Sequence, residues 1–118
     1  MNKKIKKKLQ KNQCKVLSDR FIIDNFSFYM TKHSKKRALE RSISTYIIAY
    51  SVLKVSHHFK NILEKSNNKA KFIIPDYNTK IAVMLVLNKK KGSVITVLKY
   101  PDMTLPSNVP VLSNGSFI

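Results

Sequence analysis

Three side chains within residues 31–44 have the types and the spacing needed for phosphate chemistry. His33, Arg37 and Arg41 lie four residues apart, and the two arginines are two of only three in the chain. Each four-residue step along an α-helix turns the side chain by about 40°, so the three are predicted to share one stripe. One imidazole that titrates near pH 7 and two permanent guanidinium charges can bind a phosphate and transfer a proton. Glu40 is predicted to lie on another side of the helix from His33, so it need not neutralise the stripe.

The remaining histidines, the single cysteine and the acids are the other residues that could take part in catalysis or bind a metal. His57 and His58 are adjacent, so on a helix they point about 100° apart, and one of them is a candidate to line the site. They lack the i, i+4 spacing of a zinc-binding pair, and the single Cys14 excludes a multi-cysteine zinc cluster. The six carboxylates are scattered rather than clustered for two-metal catalysis. We therefore expect no metal and no other cofactor.

Cationic and phenolic groups near the stripe are candidates for contacts with RNA. The predicted RNA-binding residues are Lys32, Lys35, Lys36, Lys99 and Tyr100. The first three share the helix of His33, while the last two end a predicted strand, where an ammonium or a phenol can reach a substrate. The structural alternatives are a solvent-exposed basic helix, with Arg41 paired to a distant acid, and a strand-end lysine that extends into water.

The net charge restricts the class of partner. The chain has 118 residues, with 23 basic against six acidic side chains and a formal charge of +17. Self-repulsion of this size favours an anionic partner, most often nucleic acid and less often an acidic membrane surface. No apolar run reaches the ~18–20 residues of a membrane span, and no secretory signal is visible. We expect a cytoplasmic protein of a bacterium or a phage-infected cell that does not bind membranes.

The pattern of apolar residues predicts a small α+β domain, with N-terminal helices packed on one face of a small antiparallel sheet. Residues 1–18 are predicted to form a basic arm or an amphipathic helix, 19–102 the single domain, and 103–118 a tail. Within the domain, 20–30 is predicted to be extended and broken at Asp24-Asn25. Helices are predicted over 32–41 and 45–59, with Thr31 and Ser44 as caps. A three-stranded meander is predicted to follow, with strands at 71–74, 80–87 and 93–100 and a hairpin turn at 89–92.

The segment from Phe28 to Ser44 resembles the HxxxRxxER-x-(I)-S motif of the RelE/BrnT/RegB-like small endoribonucleases. The resemblance covers about residues 26–100, since the downstream hairpin matches the meander of that family in order and length. It implies metal-independent cleavage of mRNA, in which the 2′-hydroxyl attacks its own phosphate and leaves a 2′,3′-cyclic phosphate. It also implies a RelE/RegB-like fold.

The resemblance also implies roles for individual residues. His33 matches the general base or acid, Arg37 the arginine that stabilises the phosphorane, and Arg41 a second motif arginine, for which a structural role is the alternative. Leu53 stands where RegB-like enzymes have a second histidine, and His57 and His58 follow about one turn later. This departure leaves open which histidine completes the acid–base pair.

Two functions are thus predicted. The first is a metal-independent endoribonuclease, acting as a phage regulator or a toxin, with an acidic antitoxin or inhibitor as a further partner. The alternative is a non-enzymatic basic protein of the same fold that binds RNA or DNA. Convergence of His33, His57, His58 and Lys99 on one cleft would favour the enzyme, and their dispersal would favour the binding protein.

Overall fold

The secondary structure alternates between short helices and strands along the whole chain. A computed structural model describes residues 3–12, 14–113 and 116–117; the other residues of the predicted arm and tail lie outside the described part. The helices are α1 (Lys3–Lys11), α2 (Lys32–Glu40), α3 (Thr45–Leu53) and α4 (Phe59–Lys65), with a 3₁₀ turn at Ser56–His58. The strands are β1 (Lys15–Val16), β2 (Arg20–Ile23), β3 (Phe26–Met30), β4 (Lys69–Asp76), β5 (Ile81–Asn88), β6 (Lys91–Lys99), β7 (Leu112–Ser113) and β8 (Ser116–Phe117).

Six of the strands form one sheet in the order β1-β2-β3-β6-β5-β4. The α+β class is as predicted, and β5 lies inside the sheet between β6 and β4. The prediction of a wholly antiparallel sheet is wrong, because β3 and β6 pair in parallel, with Tyr29 opposite Ser93. A parallel pair needs a long crossover. Here the crossover from β3 to β6 contains helices α2, α3 and α4 and strands β4 and β5. The meander of β4, β5 and β6 is therefore extended by β3, β2 and β1, which join it through the parallel pair.

One face of the sheet carries the main core. Helices α1 to α4 all contribute buried side chains to it, among them Leu9, Ala38, Ile48 and Ile62. This arrangement confirms the predicted packing of helices on a single face. Residues 3–11 are helical and join the core through Leu9, so of the two alternatives for the N-terminal segment the structure has the amphipathic helix. The segment 45–59 is not one helix, since α3 ends at Leu53.

Close packing at the centre of the sheet depends on a glycine. An ideal Cβ built on Gly92 would lie 2.4 Å from Cδ1 of Phe28. The Phe28 ring stacks on Phe21, with ring centroids 4.9 Å apart, so it cannot easily move away. Gly92 lies inside β6, where a larger residue would not fit. The hairpin turn consists of Lys89 and Lys90 alone and is shorter than the predicted turn at 89–92. A bulge follows, where the extra residue Ile95 turns toward the second face.

Only half of the second face is covered. The segment after β6 lies over it, so that Val109 and Leu105 pack with Ile73, Ala82 and Met84. The isolated bridge between Ile73 and Val111 fixes this segment beside β4. Beyond this cluster the second face of the sheet carries no helix and no further layer among the described residues. The tail and the N-terminal helix are thus both packed onto the central domain.

Candidate nucleic-acid interface

Helix α2 places His33 and Arg37 at the protein surface. The hydroxyl of Thr31 caps the helix by accepting a hydrogen bond from the amide of Ser34 at 3.1 Å, as the sequence predicted. His33 is exposed to solvent. However, Arg37 donates to the Glu40 carboxylate at 2.8 Å, so Glu40 does neutralise one guanidinium of the predicted stripe. The i, i+3 spacing makes this pair possible, and the guanidinium lowers the pKa of the Glu40 carboxyl.

Arg41 does not continue the stripe. Helix α2 ends at Glu40, and Arg41 adopts a non-helical backbone conformation as its C-cap. Its guanidinium donates a short hydrogen bond to the carbonyl of Val97 in β6. The side chain therefore ties the end of the helix to the sheet and is half-buried there. This contact supplies the structural role that was the alternative for Arg41.

The three candidate lysines of α2 are all exposed, and one of them is already paired. Lys35 lies 3.7 Å from the carboxylate of Asp19, and both side chains are about half exposed. Exposed pairs of this kind contribute little to stability. Lys32 and Lys36 point into solvent and remain compatible with contacts to a phosphate.

The other two histidines lie far from His33. His57 and His58 form part of the 3₁₀ turn, with ring centroids 3.9 Å apart. His57 lines a cavity of about 450 Å³ together with Asp24, which belongs to the turn before β3, whereas His33 follows the end of β3. The five residues of β3 span roughly 13 Å at about 3.3 Å per residue. His33 and the histidine pair are thus at opposite ends of this strand, and the structure does not bring them to one cleft.

Lys99 and Tyr100 lie at the end of β6 and just after it, two and three residues beyond the Val97 carbonyl that Arg41 contacts. Lys99 is exposed at the end of β6, while Tyr100 packs against the small apolar cluster of the second face. The phenol of Tyr100 donates to that of Tyr77 at 3.2 Å. This hydrogen bond is the main cause of the raised pKa of Tyr100, so the phenol stays protonated near pH 7. Both residues are remote in the sheet from the histidines at the start of β3.

A buried polar network at the end of α3 was not predicted from the sequence. Asp76 is 7% exposed and lies 2.5 Å from the ammonium of Lys54. It also accepts from the hydroxyl of Ser51 at 3.1 Å and from the amide of Asn78 at 3.0 Å. Burial alone would raise the pKa of Asp76, but the hydrogen bonds from Lys54 and Thr79 and the charge of Lys54 together lower it. Oδ2 of Asp76 thus joins the end of α3 to β4, while Oδ1 holds the turn after β4 through the amide of Asn78.

Two further classes of chemistry find no support in the described residues. Burial raises the pKa of the Cys14 thiol to about 11, so this cysteine is protonated and inert at neutral pH. Within residues 3–12, 14–113 and 116–117, no three histidine, cysteine or acidic side chains come close enough to hold a metal ion.

The uncovered half of the sheet is a basic surface built from six strands. We call it the open sheet face, and none of its side chains is buried. It consists of Lys15, Arg20, Ile22, Ser27, Tyr29, Lys69, Lys71, Val86, Asn88, Lys91 and Ser93. Five of these residues are cations and none is an acid. A shallow depression of about 760 Å³ lies at one end, between Lys69 and Lys91.

The sequence contained a signal for this face. In β3 the buried residues Phe28 and Met30 alternate with Ser27 and Tyr29, which places Tyr29 on the opposite side. In the sequence, Tyr29 belongs to the segment that resembles the endoribonuclease motif, and the motif assigns it no position on a sheet face. The lysines of β4 could be added only once the strand order was known.

Searches of protein-family models, curated proteins and solved structures returned no match to the chain.

Proposed function

We propose that this protein binds nucleic acid without cleaving it, and that the open sheet face is its binding surface. The observation that carries the proposal is the distribution of charge. None of the six acids lies on the open sheet face, whereas five cations and one exposed tyrosine do. A phosphate backbone is the anion that matches a row of lysines and arginines of this kind, because each neutralised phosphate releases bound counterions.

The balance of charges in the whole molecule supports an external anionic partner. Asp19, Glu40 and Asp76 already pair with Lys35, Arg37 and Lys54. Even if all six acids were paired, 17 of the 23 basic side chains would lack an internal counterion (23 − 6 = 17). These positive charges raise the local concentration of polyanions and speed association with them. RNA is the first ligand to test, since the sequence resemblance concerns proteins that act on RNA.

Cleavage is the less favoured hypothesis because its groups are dispersed. Metal-free cleavage needs an acid, a base and a fixed positive charge at one phosphate. Here His33 lies at the other end of β3 from His57 and His58, Arg37 is paired with Glu40, and Arg41 is bonded to a backbone carbonyl. This dispersal supports our preference for binding over cleavage.

The experiment that tests this function is a titration of labelled RNA at several salt concentrations. If the five cations of the open sheet face each neutralise one phosphate, the slope of log K against log salt is about −3.5, from roughly −0.7 per contact for single strands. Affinity then falls on the order of 10²-fold between 50 and 200 mM salt. A lack of binding at 50 mM salt, or a slope near zero, would overturn the proposal.

The same RNA, incubated with the protein in EDTA, decides between binding and cleavage. We expect intact RNA. Products that end in a cyclic phosphate, and that disappear with His33→Ala, would refute the non-enzymatic part of the proposal and support the endoribonuclease hypothesis. An acidic inhibitor protein, the other predicted partner, would be detected by co-purification with the intact chain.

A further inference from the structure

We infer that the open sheet face binds single-stranded rather than double-stranded nucleic acid, with Tyr29 as a stacking platform for a base. The inference rests on the proposed function and adds the class of ligand. The arrangement of the aromatic ring, the cations and the small side chains on the sheet supports the inference.

Tyr29 occupies the middle of the open sheet face. It lies on β3, which has two strands on one side and three on the other. Its direct neighbours across the sheet are Arg20 on β2 and Ser93 on β6. The side chain is 43% exposed, and among the described residues its hydroxyl has no hydrogen-bond partner. A large aromatic ring held on a rigid strand without a partner is the kind of group on which an unpaired base stacks.

Four of the five cations lie at the ends of the two rows that cross the sheet, and Lys91 lies within the second row. One row runs from Arg20 through Tyr29, Ser93 and Val86 to Lys71. The neighbouring row runs in the same direction across Lys15, Ile22, Ser27, Lys91, Asn88 and Lys69. Strands lie about 4.8 Å apart, so five strands span roughly 19 Å. A single strand laid along a row would place phosphates near the charged ends and bases over the middle.

The middle of the surface leaves room for bases. Ser27 and Ser93 flank Tyr29 along β3 and β6, and both are short, polar side chains. Val86 and Ile22 are only half-buried and offer apolar area beside the ring. Hydroxyl and amide groups such as those of Ser93 and Asn88 can form hydrogen bonds with base edges. In a duplex these edges are paired and stacked, so a flat sheet reaches them only in a single strand.

A second copy of this chain is not a suitable occupant. Two open sheet faces packed together would oppose five cations with five, and like charges directly opposed are destabilising. The surface also lacks the apolar core of stable protein interfaces, since its only aliphatic members are Ile22 and Val86. The apolar part of the second face is already covered by the segment that carries Leu105 and Val109.

The test compares labelled single strands of about eight nucleotides with the matching duplex. Wild-type protein is expected to bind the single strand on the order of tenfold more tightly than the duplex. Tyr29→Ala should weaken single-strand binding about 5–100-fold, as expected for the loss of one stacked base, while Tyr29→Phe should retain it. Tyr77→Ala is the matched control, because Tyr77 is 68% exposed but lies on the turn after β4.

A second pair of variants tests the direction of the rows. Lys71→Glu reverses a charge at the end of the row of Tyr29, whereas Lys60→Glu makes the same change on α4. Both lysines are exposed, so both variants should fold, which circular dichroism would verify. The Lys71 variant is expected to bind at least about tenfold more weakly than the Lys60 variant, since only Lys71 is on the binding face.

The outcomes separate this inference from the proposed function. Equal affinity for single strand and duplex, with Tyr29→Ala unchanged from wild type, would overturn the single-strand inference while salt-dependent binding remained. Equal losses for Lys71→Glu and Lys60→Glu would place the contacts elsewhere and also overturn it. No binding to either ligand would refute the proposed function itself.

Discussion

Asp76 shows how a single carboxylate stabilises the junction between α3 and β4. It is buried, and a buried charge is costly unless it is paired and hydrogen-bonded. Lys54 supplies the opposite charge, and Ser51, Thr79 and the amide of Asn78 supply the remaining contacts. Because these contacts outweigh the effect of burial, the pKa of Asp76 in the folded protein lies below its usual value.

Replacement of this carboxylate should therefore destabilise the protein in a pH-dependent way. Asp76→Asn is expected to lower the free energy of unfolding at pH 7 by about 1–3 kcal/mol, because it leaves Lys54 half-buried without a counterion. A carboxyl whose folded pKa is lowered stabilises above its unfolded pKa of about 3.9 and loses that contribution as the pH falls through the folded value. The difference between variant and wild type should thus shrink below about pH 4, as urea unfolding at several pH values would show.

The control for this prediction is Asp102→Asn. Asp102 is exposed in the turn after β6, so its replacement should change stability by less than about 0.5 kcal/mol. If Asp76→Asn were as stable as Asp102→Asn at pH 7, or if its deficit persisted undiminished at pH 2, the ion pair would not be the stabilising contact.

At the residue scale, local spacing predicted local contacts and little more. Thr31 and Ser44 cap their helices as expected, because a cap depends on residues only three positions apart. The partner of Arg41 is 56 residues away on β6, and that of Ser51 is 25 residues away. Spacing along one helix contains no information about such partners. The sequence therefore predicted a stripe of three side chains but not the hydrogen bond from Arg41 to the carbonyl of Val97.

At the element scale, α1 is the least expected part of the core. Its sequence is mostly lysine, yet the buried Leu9 anchors it on α3. The ammonium of Lys6 lies 5.1 Å from the ring centroid of Tyr46, and Lys8 donates to the hydroxyl of Tyr50 at 3.3 Å. Cation–π contacts of this kind let lysines line an interface without an acid. The helix is thus held by Leu9, by the partly buried Ile5 and by contacts with aromatic rings.

Truncation of Leu9 should consequently destabilise the whole domain and not only the N-terminal segment. Leu9 is 2% exposed, and Leu9→Ala is expected to cost about 2–4 kcal/mol because it leaves a cavity between α1 and α3. Gln10→Ala, an exposed change in the same helix, should be close to neutral. Thermal melts of both variants measure the difference. Equal melting temperatures would mean that α1 contributes little to the core, and only then would deletion of the segment be a clean test of its role in binding.

Strand pairing was predicted where the connection is short and missed where it is long. The β2–β3 and β5–β6 hairpins follow from turns at Asp24-Asn25 and Lys89-Lys90. The parallel pair of β3 and β6 joins segments more than sixty residues apart, and no local pattern specifies it. That pair brings Tyr29 beside Ser93 and creates the open sheet face. The binding surface proposed here was therefore beyond the sequence pattern, although β4, β5 and β6 were predicted as strands and only β1 lay in a segment predicted as an arm or helix.

At the scale of the whole molecule, charge dominates the behaviour expected in solution. A net charge of +17 on 118 residues destabilises the compact state through self-repulsion, and this repulsion extends over about 10 Å at 0.1 M salt. None of the helices in the described part of the chain has the length and apolar character needed to cross a bilayer. The charge is thus a property of the folded domain that solvent ions or a bound polyanion must offset.

Salt should accordingly stabilise the folded protein while it weakens binding. Raising sodium chloride from about 10 to 150 mM screens the repulsion, so the melting temperature should rise by several degrees, with about 1 kcal/mol corresponding to roughly 4 °C for a chain of this size. Addition of single-stranded RNA at low salt should raise it further, because a ligand that binds only the folded state stabilises it by mass action. Sodium sulfate at equal ionic strength is the control for specific anion binding. A melting temperature that fell with chloride would show that attraction between opposite charges, rather than repulsion among the lysines, governs stability, and the need for an anionic partner would lose its basis.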